Sequence, residues 1–329
     1  MMLNFISFLF LVVLLIFSLI HKELYSAKII GIILSYSIIF QSDIIEFLSS
    51  FSNFENTMTK MERSLLYTHL INEKPQHSEN DNINWPTKGE IEFIDYSTRY
   101  RPDTEIILKN LSFKIEGSKK IGIVGRTGSG KSTMAICLFR ILEALNGKIL
   151  IDGIDISTLG LKKIRNNLTI LPQDSTIVEG TLRYNIDPVG NYDDNTIEDV
   201  MKKIGFYYII ENNSNGLEQR VSENGNNLSI GEKQMICITR AILRKSKIIV
   251  MDEATSSIDY QTEETILKAI DNYLKGSTII TIAHRIKTII NYDKILVLDN
   301  GTIIEYDTPQ NLLNNKNSEF YSLYVKSLV

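Results

Sequence analysis

The apolar positions of this chain are unevenly spread. Of the first 50 residues, 33 are apolar, and no Asp, Glu, Lys or Arg occurs between Met1 and His21. Leu3–Ile20 is broken only by Asn4, Ser7 and Ser18. That is close to the length of helix needed to cross a hydrocarbon core of about 30 Å. A cleaved signal would need a positive start and a small-residue cleavage site. Met1-Met2-Leu3-Asn4 is uncharged, and Ser18-Leu19-Ile20-His21 is a poor site. A second apolar run, Ile29 to Phe40, continues amphipathically to about Phe51. His21-Lys22-Glu23 separates the runs, so the pattern predicts a helical hairpin whose second helix leaves the membrane on one side. Asp43 and Glu46 then fall near the head groups or line a cavity. Asn53–Leu70 keeps helical spacing with mixed charge, and Asn72–Lys88 is a polar connection with two prolines.

Beyond the linker the pattern is that of a soluble α/β domain. Ile121–Val124 is a short apolar strand, and a periodic apolar run follows from Met134 to Leu145. Between them stands Gly125-Arg126-Thr127-Gly128-Ser129-Gly130-Lys131-Ser132-Thr133. Glycines at these places let the backbone wrap closely and turn several N–H groups toward phosphate oxygens, and the following helix N-terminus adds a favourable dipole. Lys131 supplies charge for the β- and γ-phosphates, and Ser132 a hydroxyl ligand for Mg²⁺. A second apolar strand, Ile248–Met251, ends in Asp252-Glu253. Two acids at a strand end can be a mere solvated turn. Downstream of a phosphate loop they read as a metal carboxylate, Asp252, and a base, Glu253, that polarises the attacking water. Glu211–Asn227, rich in Asn and Gly, reads as a surface loop.

Composition narrows the field. The 329 residues are 43% hydrophobic and carry 35 basic and 39 acidic side chains, a formal charge of -4. This excludes a strongly basic nucleic-acid binder, and no nucleic-acid partner is expected. Cys137 and Cys237 are 100 residues apart and fit neither a redox pair nor a zinc site, so both are expected as reduced thiols in packed helices.

Together these elements resemble an ATP-binding-cassette (ABC) ATPase. Leu228-Ser229-Ile230-Gly231-Glu232 resembles the family signature, usually written LSGGQ, and Ile248–Asp259 the strand and turn after it. Ile282-Ala283-His284-Arg285 resembles the switch-histidine loop, and Leu171-Pro172-Gln173-Asp174 the glutamine loop. Tyr100 lies 31 residues before Lys131, where the family places an aromatic for adenine. Arg99–Pro102, Leu138–Ala144 and Gly180–Pro188 are most similar to the second nucleotide-binding domain of C-subfamily, multidrug-resistance-associated transporters. The resemblance implies a P-loop NTPase of ABC type: a RecA-like α/β core, an antiparallel β subdomain and a helical subdomain, preceded by a transmembrane hairpin. Expected bounds are 1–70 for the membrane helices, 71–89 for the linker and 90–329 for the nucleotide-binding domain.

The resemblance further implies ATP and Mg²⁺, the metal held by Ser132, Gln173 and Asp252. Tyr100 and Gly125–Thr133 would bind nucleotide in this chain. Gln173 would reach the attacking water, and His284 would contact the γ-phosphate and orient Glu253. Ser229 and Gly231 would cap the phosphate of a different nucleotide-binding domain, so hydrolysis requires a partner. Two departures stand out. Ile230 and Glu232 replace Gly and Gln, and a carboxylate near phosphate implies one competent and one impaired site. Ser175–Glu179 departs from the family pattern on a surface that usually meets the coupling helices.

The implied protein is the C-terminal part of an exporter of organic anions or conjugates, integral and multi-pass, with a cytoplasmic ATPase domain. Further helices and a second cassette are its expected partners, since two spans cannot enclose a transport pathway. The alternatives are an ATP-gated channel or regulator of the same subfamily, and a truncated product. A DNA-repair type ATPase is disfavoured by the apolar runs between Leu3 and Phe40.

Overall fold

The computed structural model describes residues 2–21, 26–70, 72–211, 215–252, 260–283 and 285–327, and it divides into two units, Met1–Glu73 and Lys74–Val329. The first unit consists of helices α1 (Met2–Ile20) and α2 (Ala27–Thr68), which contact each other. The second run expected from sequence and the mixed-charge stretch after it form one continuous helix of 42 residues, because neither Gly nor Pro interrupts the pattern after Gly31. No residue of α2 is buried. Among the described residues, α2 is the one helix long and apolar enough to cross a membrane by length and composition. The apolar helical stretch Phe8–Ile20 is shorter.

In the second unit, β1 (Ile91–Thr98), β2 (Leu108–Ile115), β4 (Asn146–Ile151) and β5 (Ile154–Asp155) form an antiparallel sheet in the order β2-β1-β4-β5. The central sheet holds β3 (Lys120–Gly125), β6 (Leu168–Leu171), β9 (Ile248–Asp252), β10 (Thr278–Ile282), β11 (Lys294–Asp299) and β12 (Thr302–Asp307). Its order is β12-β11-β3-β10-β9-β6, parallel except for β12. Strands β3, β9 and β10 are buried along nearly their whole length, as a parallel sheet covered on both faces demands. That is why the sequence shows them as unbroken apolar runs rather than alternations.

Helix α3 (Lys131–Leu138) follows β3, and α4 (Leu161–Asn167) precedes β6. A helical part comprises α5 (Leu182–Ile186), α6 (Asp194–Lys203), α7 (Tyr208–Glu211) and α8 (Ile230–Arg244), with the small ladder β7 (Gly180–Thr181) and β8 (Arg220–Val221). Helices α9 (Tyr260–Tyr273), α10 (Ile286–Ile289), α11 (Pro309–Asn314) and α12 (Glu319–Lys326) complete the chain. One core joins the antiparallel sheet to β3 and α3 through Phe93, Leu111, Met134 and Leu138. Another packs the helical part against β9 through Phe206, Ile236, Ile238 and Ile249.

Three local expectations change. The helix expected to run to Leu145 stops at Leu138, and Arg140 takes φ 49°. Its guanidinium is buried and donates to the carbonyls of Ile156 and Leu159 and to Glu143, so tertiary bonds override the apolar periodicity. The Asn-rich stretch after Glu211 carries buried Leu217 and Val221 and a strand pair, so it is only partly surface loop. The polar connection is docked from Pro75 onward. Trp85 is buried and donates its indole N–H to the Ile151 carbonyl at 2.8 Å. The Asp152 carboxylate accepts backbone N–H bonds from Thr87, Lys88, Gly89 and Glu90 at 2.6–3.3 Å. Burial works against ionisation there, but these donors outweigh it and hold the Asp152 carboxyl below the usual carboxylate range. Both cysteines are free and buried, and burial pushes the Cys137 thiol up to about 11.

Candidate nucleotide site

The loop after β3 is shaped by backbone that other residues resist. Gly125 has φ 152°, and a Cβ there would meet the Leu298 carbonyl oxygen at 2.1 Å. Gly130, the N-cap of α3, has φ 101°. Neither position accepts a side chain without moving its neighbour. Ser129 is buried, while Arg126, Thr127, Gly128 and Ser132 are exposed. Thr127, Gly128, Gly130, Lys131, Ser132 and Thr133 line a cavity of about 340 Å³ together with Tyr100 and Ile107. Tyr100 is half exposed, and its phenol oxygen lies 3.1 Å from the Thr133 hydroxyl. The aromatic and the phosphate loop, 31 positions apart from Tyr100 to Lys131, are thus brought into one site.

Lys131 is 6% exposed, and its Nζ donates to the carbonyls of Gly125 at 2.8 Å and Arg126 at 2.9 Å. The ammonium is therefore already desolvated and aimed along the loop, so anionic oxygens entering the cavity gain a charge-assisted partner. The Arg126 guanidinium turns away and meets Glu319 of α12 at 3.4 Å.

The carboxyl ends of the parallel strands bring the other candidates to the same edge of the sheet. Ile282 pairs with Asp252 on one side and with Ile123 on the other, and Leu171 pairs with Met251. Asp252 therefore stands one strand away from the end of β10, and Gln173 follows two residues after Leu171. Gln173 is exposed at its side chain. Glu253 and His284 lie outside the described residues. Their described neighbours are anchored: the Ala283 N–H donates to the Ile123 carbonyl, and Arg285 forms an ion pair with the buried Glu263 of α9 at 2.7 Å. The Ser132 hydroxyl, the Gln173 amide and the Asp252 carboxylate are oxygen donors, which is the set Mg²⁺ takes, so these residues fit that ion.

Ser229 and Gly231 are not among the described walls of the Tyr100–Thr133 cavity. They stand at the head of α8, where Ser229 is the N-cap. Ser229 N–H and Oγ–H both donate to Glu232 Oε2, at 2.7 and 2.8 Å, and Glu232 N–H donates back to Ser229 Oγ at 3.2 Å. This is a reciprocal capping box.

Sequence reasoning assigned no role to Gln234. It is 2% exposed on α8, and its amide donates to the carbonyl of Gln173 at 3.0 Å. The signature helix thereby holds the glutamine loop. A polar side chain preceding the apolar run Met235–Ile238 was the available signal. Thr133 as the partner of Tyr100 was likewise unassigned. Behind the glutamine loop a second cavity of about 410 Å³ is lined by Pro172, Thr176, Val178, Tyr184 and Arg240.

A glycine loop between a buried parallel strand and a helix, with a carboxylate ending the next strand but one, defines a P-loop nucleoside triphosphatase. Residues 108–256 match the family described as ABC transporter. ATP-binding cassette sub-family C member 3 of Rattus norvegicus is 40% identical over 299 residues, 90% of this chain and 20% of that protein. Bile pigment transporter 1 of Saccharomyces cerevisiae is 40% identical over 328 residues, 93% of this chain and 21% of that protein. The solved structure of a bacterial Atm1-family ABC exporter with ATP bound has a TM-score of 0.75 at 29% identity, over 90% of this chain and 52% of that one. Residues 108–256 are thus a domain of the ABC transporter family, and relatives that align with about nine-tenths of the chain include C-subfamily members. It spans about a fifth of the length of the curated relatives it matches.

Proposed function

We propose that this chain binds MgATP through Tyr100 and the Gly125–Thr133 loop, and that hydrolysis there drives export across a membrane. The observation that carries the reading is the cavity that joins Tyr100 to Thr127–Thr133, beside the strand ends bearing Asp252 and leading to Glu253 and His284. Tyr100 stacks on the purine after releasing Thr133. Gly125, Arg126, Thr127, Gly128, Ser129 and Gly130 wrap the phosphates with backbone N–H groups, and Lys131 and Thr133 approach them from the head of α3. Ser132, Gln173 and Asp252 would hold Mg²⁺, which when bound would offset phosphate charge. Glu253 polarises the water, and His284 orients Glu253 at the γ-phosphate.

The domains are taken as 1–70 for membrane helices, 71–89 for the linker and 90–329 for a cytoplasmic ATPase. The apolar surface of α2 supports the membrane placement, with further helices completing a multi-pass domain. Ser229 and Gly231 face nucleotide held by a second cassette, which fits their separation from this chain's own cavity. The groove behind the glutamine loop receives the coupling segment of the membrane domain. Organic anions or conjugates are the proposed cargo, as the C-terminal part of an exporter. Lys131→Met in membrane vesicles is expected to lower vanadate-sensitive ATP hydrolysis by on the order of 10²–10³-fold and to stop cargo uptake with it. ATP hydrolysis that survives the substitution contradicts the site. Uptake that survives loss of hydrolysis favours a gated channel.

A further inference from the structure

The turn between β11 and β12 consists of Asn300 and Gly301, both left-handed at φ 48° and 80°. That is the Asn-Gly pattern of a two-residue hairpin turn. Gly301 is buried and is bonded on two sides. Its N–H donates to the Ser129 carbonyl in the glycine loop at 3.1 Å, and its carbonyl accepts from Lys109 N–H in β2 at 2.8 Å. A Cβ at Gly301 would lie 1.8 Å from the Ile107 carbonyl oxygen, so the turn is pressed against the residue that leads into β2. At its far end the same hairpin meets β2 again, where Tyr306 Oη–H donates to the Lys114 carbonyl at 2.7 Å. The nucleotide cavity has one wall on each sheet. Tyr100 and Ile107 belong to the connection between β1 and β2, while Thr127, Gly128 and Lys131 follow β3. Gly301 stands behind both walls and joins them.

We infer that Gly301 is a positioning residue for the nucleotide: bonded to Ser129 on one wall and packed against Ile107 on the other, it sets the gap between the base side and the phosphate side of the cavity. This deepens the proposed function and rests on its reading of Tyr100 and the Gly125–Thr133 loop. ATP touches both walls at once, so its affinity depends on their separation. Inorganic triphosphate needs only the glycine loop and Lys131. The gap therefore decides how much binding the adenosine part adds to that of the phosphates. A methyl group at Gly301 must drive the Ile107 carbonyl back by about 1 Å or more to reach ordinary contact.

The test is equilibrium binding of MgATP and of magnesium triphosphate to the full chain in detergent. Gly301→Ala is expected to weaken ATP by about tenfold and triphosphate by less than about threefold. Lys109→Pro removes the other donor of the clamp on an edge strand and adds nothing at the turn. It is expected to weaken ATP by a smaller factor and to leave triphosphate unchanged, and it carries the test if Gly301→Ala does not fold. Retained triphosphate binding reports an intact glycine loop. A residue that merely supports folding would weaken both ligands equally, so equal losses overturn the inference. Unchanged ATP affinity in both variants overturns it too. Lys131→Met should lose both ligands. If it does while the two ligands move together in the turn variants, the inference alone falls. If both ligands still bind Lys131→Met, the reading of the site on which it rests falls.

Discussion

Lys131 shows how far local sequence reaches. Strand, glycines, lysine and hydroxyl lie within a dozen positions, and each acts on its immediate neighbours, so the motif and its chemistry are legible from order alone. Tyr100 is different. Its place over the loop depends on the Thr133 contact across 33 residues, and only the family spacing pointed to it. Gln234 was illegible as an actor, because its partner Gln173 is 61 residues away on another element. The cysteines follow from elementary burial. Cys137 is 0% exposed with a thiol pushed up to about 11, so the folded protein should resist alkylation at pH 8. Mass spectrometry after iodoacetamide should show Cys137 modified only in denaturant. Rapid labelling of native protein would contradict the packing of α3 against β1.

The elements diverged from expectation where tertiary bonds compete with periodicity. Helix α3 ends at Leu138 although apolar spacing continues, because buried Arg140 ties its turn to Ile156 and Leu159. Residues 75–89 read as linker by composition, yet Trp85 and the Asp152 turn dock them. Polar composition carries no sign of an acceptor 62–65 residues away. Asp152→Ala is expected to destabilise the second unit by about 1–2 kcal/mol, with the partly exposed site setting the lower end. The Asp152 carboxyl is held low in the fold, so its contribution is complete above the unfolded value near 3.9 and disappears as pH falls through the lower folded value. Thermal melts should therefore show wild type and Asp152→Ala converging only in strong acid. In the apolar first half of α2, a helix with no buried residue, Ile33→Asp is expected to cost about 3 kcal/mol of membrane insertion. The inserted fraction in microsomes measures it, and an unchanged fraction would argue against a span there.

At the scale of the whole molecule, the strand order β12-β11-β3-β10-β9-β6 explains why residues far apart in sequence serve one edge. Strand β10 lies between β3 and β9, so its end at Ile282 falls between Ile123, just before the glycine loop, and Asp252. The composition, motifs and order of the elements made this core foreseeable. That Ser229 and Gly231 would serve a second cassette came from the family resemblance alone; among the described residues they are not walls of the cavity that Lys131 lines. The proposed function gives this chain one set of hydrolytic residues, Lys131, Asp252, Glu253 and His284, and a signature serine, Ser229, whose hydroxyl is held by Glu232. The most direct measurement is ATP turnover by the membrane-assembled protein carrying Glu253→Gln. A fall of on the order of 10²-fold or more, with ATP still bound, is the predicted result. Turnover equal to that of the unsubstituted protein would contradict the assignment of catalysis to this edge of the sheet.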